Sequence, residues 1–384
     1  MTNSPYRMLG LRKQRGAATL FIALGILLIL SIGAAYVAKG TVNETKLISN
    51  SVRAKEAQEA AEGALHAALA YYDLNGATAS GIGVNSDIVF TATNGSVGRS
   101  RFCTPANVPN LASFSCVAPT SAGGSRLIFS VGTSADGSAV RRVILLASEQ
   151  SVLNGGPKAP LVSKGATSTS LTGNLTVVNN QDNLTIWTGT NIATTTGSFE
   201  TKITVDGVAN QISSKKSGSS FLLGPDVVYN DFNLGTATPL AFQEALFGRS
   251  AKDMASIADV RVDLAKGESI PTSLTKPTVV YVYRSDGAPA DVTINSAISG
   301  NTNTNYMVLV TEGQINFNGN FNLFGVLYGN TVKATGTGTV KGAVYAESID
   351  GGNGNFTIEM EPIVIAGAGT LRKRAPVNGT WRDW

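Results

Sequence analysis

Residues 12–38 read RKQRGAATLFIALGILLILSIGAAYVA, a basic cluster followed by an uncharged apolar run. No charged side chain occurs from Ala17 to Ala38. A helix over this range rises by about 33 Å, enough to cross a hydrocarbon core of about 30 Å once. The stretch ahead of Ala17 holds four cations and no acid: Arg7, Arg12, Lys13 and Arg15. Because cations stay on the cytoplasmic side, the pattern predicts a single-pass inner-membrane segment with a cytoplasmic N-terminus.

The position of the basic cluster distinguishes this segment from an ordinary secretory signal. Such a signal has a shorter apolar region that ends in a small-residue cleavage site. Here the basic stretch ends in Gly16, ahead of the apolar run, and the segment resembles a prepilin signal. The resemblance implies that prepilin peptidase cuts between Gly16 and Ala17, that the new N-terminus is methylated, and that the helix is kept as membrane anchor and filament core. The alternative is a plain signal-anchor that is never cleaved.

The composition favours many short strands and turns after the anchor. Charged residues are 15% of the 384, against about 25% in typical domains, and 42 residues are glycine. The four N-terminal cations account for the whole net charge of +4, so residues 17–384 carry no net charge. The charge therefore gives no case for nucleic-acid binding.

The helix is expected to continue well past the membrane. Apolar residues recur at threes and fours through residues 41–72, and Asn75-Gly76 is a stop signal. From Ala17 to Tyr72 an unbroken helix measures about 84 Å. Only about 30 Å of it needs lipid, so the remainder must contact protein. His66 lies on this stalk and is expected to be a surface or packing residue.

Two stretches together resemble the N-terminal region of PilX-type minor pilins: Gln14-Arg-Gly-Ala17 with its apolar run, and RAKEAQEAAE at residues 53–62. The resemblance extends from the N-terminus to Tyr72 and implies other major and minor pilins as partners. One position departs from the pattern of major pilins, which have a glutamate at the fifth mature residue. Here that residue is Phe21. K-type pseudopilins also lack the glutamate and are placed at the filament tip, so the resemblance implies a tip or initiating role.

Residues 77–153 predict a small antiparallel sheet packed on the helix. Three apolar runs are separated by Gly and Asn: residues 88–93, 126–131 and 140–147. Cys103 and Cys116 are the two cysteines and fall between the first two runs. In an extracytoplasmic chain such a close pair is expected to form a disulfide, with a metal site as the alternative.

Residues 154–164 form a Gly- and Pro-rich linker, and residues 165–384 show a weak repeat. Phe321–Tyr328 recurs as Thr339–Tyr345, which aligns Gly325 with Gly342 and Tyr328 with Tyr345 at the same spacing. Short strands at a constant period predict coils of a β-solenoid or parallel β-helix. A twisted β-sandwich is the alternative. A helical insertion is expected near residues 225–270.

The expected class is therefore α+β, with a prepilin leader (1–16), a transmembrane and stalk helix (17–76), the antiparallel sheet (77–153) and the mostly β C-terminal domain (165–384). The tail, Trp381-Arg-Asp-Trp384, is expected to dock on the body as a strand or hook.

No catalytic, cofactor or metal site is expected. The repeat region has few carboxylates, and the single histidine excludes most acid–base catalytic sites that rely on imidazole. Neither a nucleophile elbow nor a P-loop occurs in the sequence. Asp286-Gly287 and Asp350-Gly351 are expected to be turns and not calcium loops.

Three functions remain. The first is a minor pilin or pseudopilin that initiates a type IV pilus or related filament, or lies at its tip. The second is a pilus-associated adhesin whose solenoid binds a surface or carbohydrate. The third is an anchored surface protein without a filament.

Overall fold

The computed structural model describes residues 15–75, 87–106, 109–119, 124–165, 169–170, 174–193, 198–217, 220–350, 354–377 and 379–383. Three of the four N-terminal cations (Arg7, Arg12 and Lys13) and the final Trp384 lie outside these residues. The chain divides into two compact units. The first comprises residues 1–122, 126–146 and 378–384, and the second comprises residues 123–125 and 147–377.

The chain contains four α-helices and 23 strands among the described residues. The helices are α1 (Arg15–Asn75), α2 (Phe232–Thr236), α3 (Pro239–Phe247) and α4 (Pro362–Thr370). The first twelve strands are β1 (Ile88–Thr91), β2 (Val97–Cys103), β3 (Arg126–Thr133), β4 (Val140–Ser151), β5 (Leu161–Ser163), β6 (Thr169–Ser170), β7 (Asn174–Asn179), β8 (Ile186–Thr188), β9 (Ile192–Ala193), β10 (Ser198–Val205), β11 (Val208–Ser217) and β12 (Ser220–Leu222). The remaining strands are β13 (Val227–Val228), β14 (Val260–Asp263), β15 (Thr278–Tyr283), β16 (Val292–Ile294), β17 (Met307–Thr311), β18 (Gln314–Phe317), β19 (Asn320–Ala334), β20 (Thr337–Asp350), β21 (Asn355–Glu359), β22 (Arg372–Pro376) and β23 (Arg382–Asp383). The predicted class, a long N-terminal helix followed by mostly β structure, is confirmed.

Helix α1 is continuous for 61 residues, about 92 Å, and ends at Asn75 as the stop signal predicted. Alanine-rich sequence and the lack of proline favour an unbroken helix here. In the second half of α1 the buried positions are mostly alanine and recur at threes and fours: Ala57, Ala60, Ala61, Ala64, Leu65, Ala68 and Tyr72. This face packs against β2 and β3.

The sheet of the first unit is built from antiparallel pairs. Strand β2 pairs with both β1 and β3, and the tail strand β23 pairs with β4 through Arg382 and Ile144. The prediction that the tail forms a strand is confirmed by this pairing. Strand β2 was not among the predicted strands, because its sequence, VGRSRFC, alternates small and charged residues without an apolar run.

The helix and this sheet approach closely at two glycines. A Cβ atom on Gly132 of β3 would lie 1.9 Å from the carbonyl oxygen of Ala57, and one on Gly98 of β2 would lie 1.9 Å from that of Ala60. The alanine run of α1 therefore supplies more than helix propensity, since small residues on both elements let the two backbones meet.

The second unit contains three ladders of parallel strands, and the pairs β10–β11, β11–β12 and β4–β22 add antiparallel structure to it. Ladder A runs β14-β15-β17-β19-β20-β5-β8-β13. Ladder B runs β16-β18-β19-β20-β6-β9. Ladder C runs β19-β20-β21-β7-β10. The long strands β19 and β20 take part in all three ladders, so each contributes one paired segment to every ladder.

The register in these ladders is the one that the sequence repeat predicted. Gly325 pairs with Gly342 and Tyr328 pairs with Tyr345. The groups Asn318-Gly-Asn320, Thr335-Gly-Thr337 and Asn353-Gly-Asn355 recur at a similar spacing, and their composition predicts turns. Their last residues (Asn320, Thr337 and Asn355) are the first residues of strands β19, β20 and β21, and not turn residues.

Two apolar clusters occupy the inward and outward sides of ladder A. The inward cluster includes Phe317, Leu327 and Phe356 from all three ladders. The outward cluster joins ladder A to the helices and includes Phe242, Phe247 and Tyr328.

The predicted helical insertion lies between β13 and β14. Helix α3 ends at Gly248, whose φ of 70° suits a left-handed C-cap. A 3₁₀ helix follows at Lys252–Ser256. Just before it, the Ser250 hydroxyl accepts from the backbone N–H of Asp253 at 3.1 Å.

Candidate functional site

The predicted processing residues lie at the start of α1. Gly16 and Ala17 are both inside the helix, which begins at Arg15. Cleavage between them stays a prediction, because a backbone conformation does not report on processing.

The first half of α1 presents an exposed apolar surface. Phe21 is 75% exposed, and the other large apolar side chains exposed there are Leu20, Ile22, Leu24, Ile26, Leu27, Leu28, Ile29, Leu30 and Ile32. Burying one such side chain contributes about 1.5–3 kcal/mol relative to water, so this surface requires an apolar environment. The helix is long and apolar enough here to cross a membrane, judged by length and composition.

The exposed apolar positions extend beyond the length that a bilayer requires. Val42, Leu47, Ile48 and Val52 are between 50% and 70% exposed, although the sequence predicted them on one packed stripe with residues 57–69. Residues 20–52 span about 50 Å, against about 30 Å of hydrocarbon. The exposed apolar surface of α1 is therefore longer than a single bilayer span would cover.

A disulfide closes the loop between β2 and β3. Cys103 and Cys116 are joined, and their Cα atoms are 5.6 Å apart. Beside it, Arg101 donates to Asp87 at 2.6 and 2.9 Å and to the backbone carbonyl oxygen of Phe114 at 2.7 Å. The Arg101 guanidinium also lies 4.4 Å from the centre of the Phe114 ring. Loop and strand are thus held together by charge, hydrogen bonds and a covalent link.

A salt bridge connects α1 to the β3–β4 turn. Arg53 contacts Asp136 at 2.7 Å, and both side chains are about 40% exposed. Hydroxyl groups of Ser138 and Ser134 donate to the Asp136 carboxylate, and these hydrogen bonds, with the Arg53 charge, hold the pKa of Asp136 well below its usual range.

The charged residues of the repeat region form ion pairs across neighbouring strands. Lys333 and Asp350 are opposite each other on β19 and β20 at 3.2 Å, and Lys341 reaches Glu359 at 3.9 Å. Both pairs follow from the register of the parallel strands, which places Lys333 opposite Asp350 and Lys341 opposite Glu359.

The Asp286-Gly287 turn has the hydrogen bonds expected of a turn. Asp286 accepts from Arg284 and from the backbone N–H of Ala288. The Arg284 hydrogen bond lowers the pKa of Asp286 to about 2.

Potential metal ligands do not cluster in the part of the chain that the structure describes. That part contains no group of three or more His, Cys, Asp or Glu side chains arranged to hold a metal ion. His66 is exposed on α1, as the sequence predicted. The second unit has an open cavity of about 430 Å³, lined mostly by apolar atoms of Met360, Pro362, Ile365 and Ala366.

The exposed apolar half and the alanine-rich half of α1 together make up the segment that the comparisons recognise. Residues 15–66 match the PilX N-terminal family model. The predicted PilX-type N-terminal region is therefore confirmed. The match lies within α1 and gives no information about either β region.

Other comparisons add little to the PilX match. A comparison with curated proteins finds no match. Among solved structures, the competence-associated pilin ComZ from Thermus thermophilus matches with 11% identity and a TM-score of 0.32, over 86% of this chain and 97% of that chain. A TM-score this low carries no argument about the fold or the function.

Proposed function

We propose that this chain is a minor pilin-type subunit of a type IV pilus or a related filament, and that it acts in initiation or at the tip. The observation that carries the proposal is the PilX N-terminal match over a 61-residue helix whose first half is apolar and exposed. Before assembly the helix is a single-pass inner-membrane anchor with a cytoplasmic N-terminus. In the filament, the same surface packs against the helices of other pilins.

Phe21 supports a place at one end of the filament. A glutamate at this position neutralises the terminal amine of a neighbouring subunit inside an apolar core, where an unpaired charge is costly. Phe21 has no charge and cannot provide this pairing. A subunit that cannot neutralise its neighbour is better suited to a terminal position than to repeated internal positions.

The β units give the subunit its exposed part, and we propose that it is structural and non-enzymatic. We also propose that ladders A, B and C are the three faces of a parallel β-helix. The all-parallel pairings and the regular spacing of β17, β19, β20 and β21 along the sequence support this architecture.

The proposal is tested by intact mass and N-terminal sequencing of the membrane-extracted protein. The expected chain starts at N-methylated Ala17. A Gly16→Leu variant should keep its leader, whereas Gly10→Ala, a glycine substitution inside the leader, should be processed normally. A wild-type chain that starts at Met1 would overturn the pilin proposal and leave an anchored surface protein.

The position in the filament needs a separate measurement. Immunogold labelling of sheared filaments with an antibody to the second unit should mark one end of each filament. Labelling along the whole length would contradict the tip assignment while leaving the pilin assignment intact.

A further inference from the structure

Ladder C carries a flat grid of uncharged polar side chains on its outward face. The inward residues of its strands are apolar and buried, such as Leu323, Val340 and Ile358, so their neighbours in sequence must point outward. Two rows of outward side chains cross the five strands in register. The first row is Asn320, Thr337, Asn355, Asn174 and Ser198, and the second is Asn322, Thr339, Thr357, Thr176 and Glu200.

These side chains are accessible. Four of the first row (Asn320, Thr337, Asn355 and Asn174) and Asn322 of the second are exposed, and the others are half-buried. The outward face of ladder A differs, because its residues lie in the apolar cluster with α3 and α4. Ladder C is therefore an outward face of the second unit whose side chains can meet a ligand.

Three side chains of the first row, Asn355, Asn174 and Ser198, are oriented by side-chain hydrogen bonds. The amide nitrogen of Asn174 donates to the side-chain oxygen of Asn355 at 2.6 Å, and the hydroxyl of Ser198 donates to the side-chain oxygen of Asn174. Ordered side chains lose less conformational entropy when a ligand binds. Neighbouring strands are about 4.8 Å apart, so five strands extend the grid over about 19 Å.

The hydrogen-bonding groups and the charge of the grid indicate which kind of ligand it can bind. Amide and hydroxyl groups each donate and accept hydrogen bonds, which matches a chain of repeated hydroxyl groups. Nine of the ten side chains are uncharged, and the tenth, Glu200, contacts Lys202 at 2.9 Å. The ten grid positions hold no cation, and the lysines at the adjoining outward positions are paired with carboxylates, Lys202 with Glu200 and Lys341 with Glu359 at 3.9 Å. The grid therefore offers no unpaired cation to a phosphate or sulfate chain, and it has no large apolar area for a lipid.

An aromatic ring, that of Phe324, lies at the margin of the grid. Phe324, half-buried, follows Asn322 in the outward alternation, and Lys341 lies 5.5 Å from the centre of its ring. Aromatic faces with nearby polar groups give amphipathic surfaces that can contact the C–H face of a sugar ring.

We propose that the outward face of ladder C binds a neutral polysaccharide. The binding surface consists of the two rows of amide and hydroxyl side chains, with Phe324 at its margin. This function goes beyond filament assembly and does not depend on cleavage at Gly16.

The test is affinity electrophoresis of the full-length protein in detergent. The gels contain a neutral polysaccharide (dextran, xyloglucan or hydroxyethylcellulose) or an anionic one (alginate). The wild-type protein should be retarded by at least one neutral polymer and not by alginate. Asn320→Arg with Thr337→Arg places two bulky cations on directly opposed, exposed positions and should weaken binding at least tenfold.

The matched control lies on ladder B. Thr293 and Asn316 are also directly opposed, so Thr293→Arg with Asn316→Arg adds the same charges to another face and should keep wild-type binding. If the ladder C variant does not fold, as judged by circular dichroism, Asn320→Ala with Thr337→Ala should still weaken binding several-fold. Three results would each overturn the proposal: no retardation in any neutral polymer, retardation in alginate alone, or equal loss in both arginine variants.

Discussion

Gly132→Ala should destabilise the first unit, because the new methyl group meets backbone and not a movable side chain. The ideal Cβ lies 1.9 Å from the carbonyl oxygen of Ala57 and 2.4 Å from the amide nitrogen of Ala61. Ordinary contacts need about 3.4 Å or more, so β3 and α1 must separate by more than about 1 Å. Overpacking of this kind costs about 1–3 kcal/mol. For a unit of this size the melting temperature should fall by about 2–12 °C.

Gly63→Ala is the matched control, and the expected sign is different. Gly63 is inside α1, where alanine is favoured over glycine by about 0.8–1 kcal/mol. The new Cβ would lie 2.4 Å from the Phe90 ring, but that ring is half-buried and can turn away. The variant should therefore be neutral or slightly stabilised.

The assay is thermal unfolding of the full chain in detergent by circular dichroism. Hydrogen exchange of peptides from residues 57–72 and 97–133 then assigns the change to the helix–sheet contact. The reasoning is refuted if Gly132→Ala melts like the wild type, or if Gly63→Ala loses as much stability as Gly132→Ala.

Two further predictions concern pH and the disulfide. Burial raises the pKa of Tyr281, Tyr306 and Tyr345 to about 12. Since a tyrosine ionises near pH 10 in the unfolded chain, their contribution is complete below pH 10 and is lost as the pH rises through 12, at about 1.4 kcal/mol per pH unit for each buried tyrosine. Urea midpoints at pH 9, 10 and 11, with absorbance at 295 nm, should show this loss; a midpoint unchanged up to pH 11 would contradict it. Cys103→Ser with Cys116→Ser opens a loop of about 14 residues and should reduce stability by about 3 kcal/mol. Urea unfolding of the double variant measures this, and an unchanged midpoint would show that the loop is held by Arg101 without the covalent link.

Local patterns in the sequence were sufficient to predict those elements whose contacts are near in the chain. The end of α1 at Asn75 and the pairing of Gly325 with Gly342 both follow from short-range signals. The pairing of β23 with β4 joins Arg382 to Ile144, so its partner could not be predicted. The close approach at Gly98 and Gly132 was also missed, because glycine in a strand gives no indication of what approaches it.

The candidate sites also differ in whether their residues are contiguous in the sequence. Gly16, Ala17 and Phe21 were identified by motif, since the signal is contiguous. The grid on ladder C was missed because two of its five strands, β7 and β10, come from a distant part of the sequence. When each strand is considered alone, its Asn and Thr residues predict turns and not a binding surface.

The order of strands in ladders A and C has a consequence for how the second unit folds. Strand β5 lies beside β20, although the two come from opposite ends of the second unit's sequence, and β7 lies beside β21 in the same way. Strands β5 and β7, which are synthesised first, therefore cannot find these partners until the last strands have been made. Contacts this distant in sequence form slowly and leave strand edges uncovered meanwhile. The second unit is thus expected to depend on a factor that keeps its early strands unfolded until β20 and β21 are available.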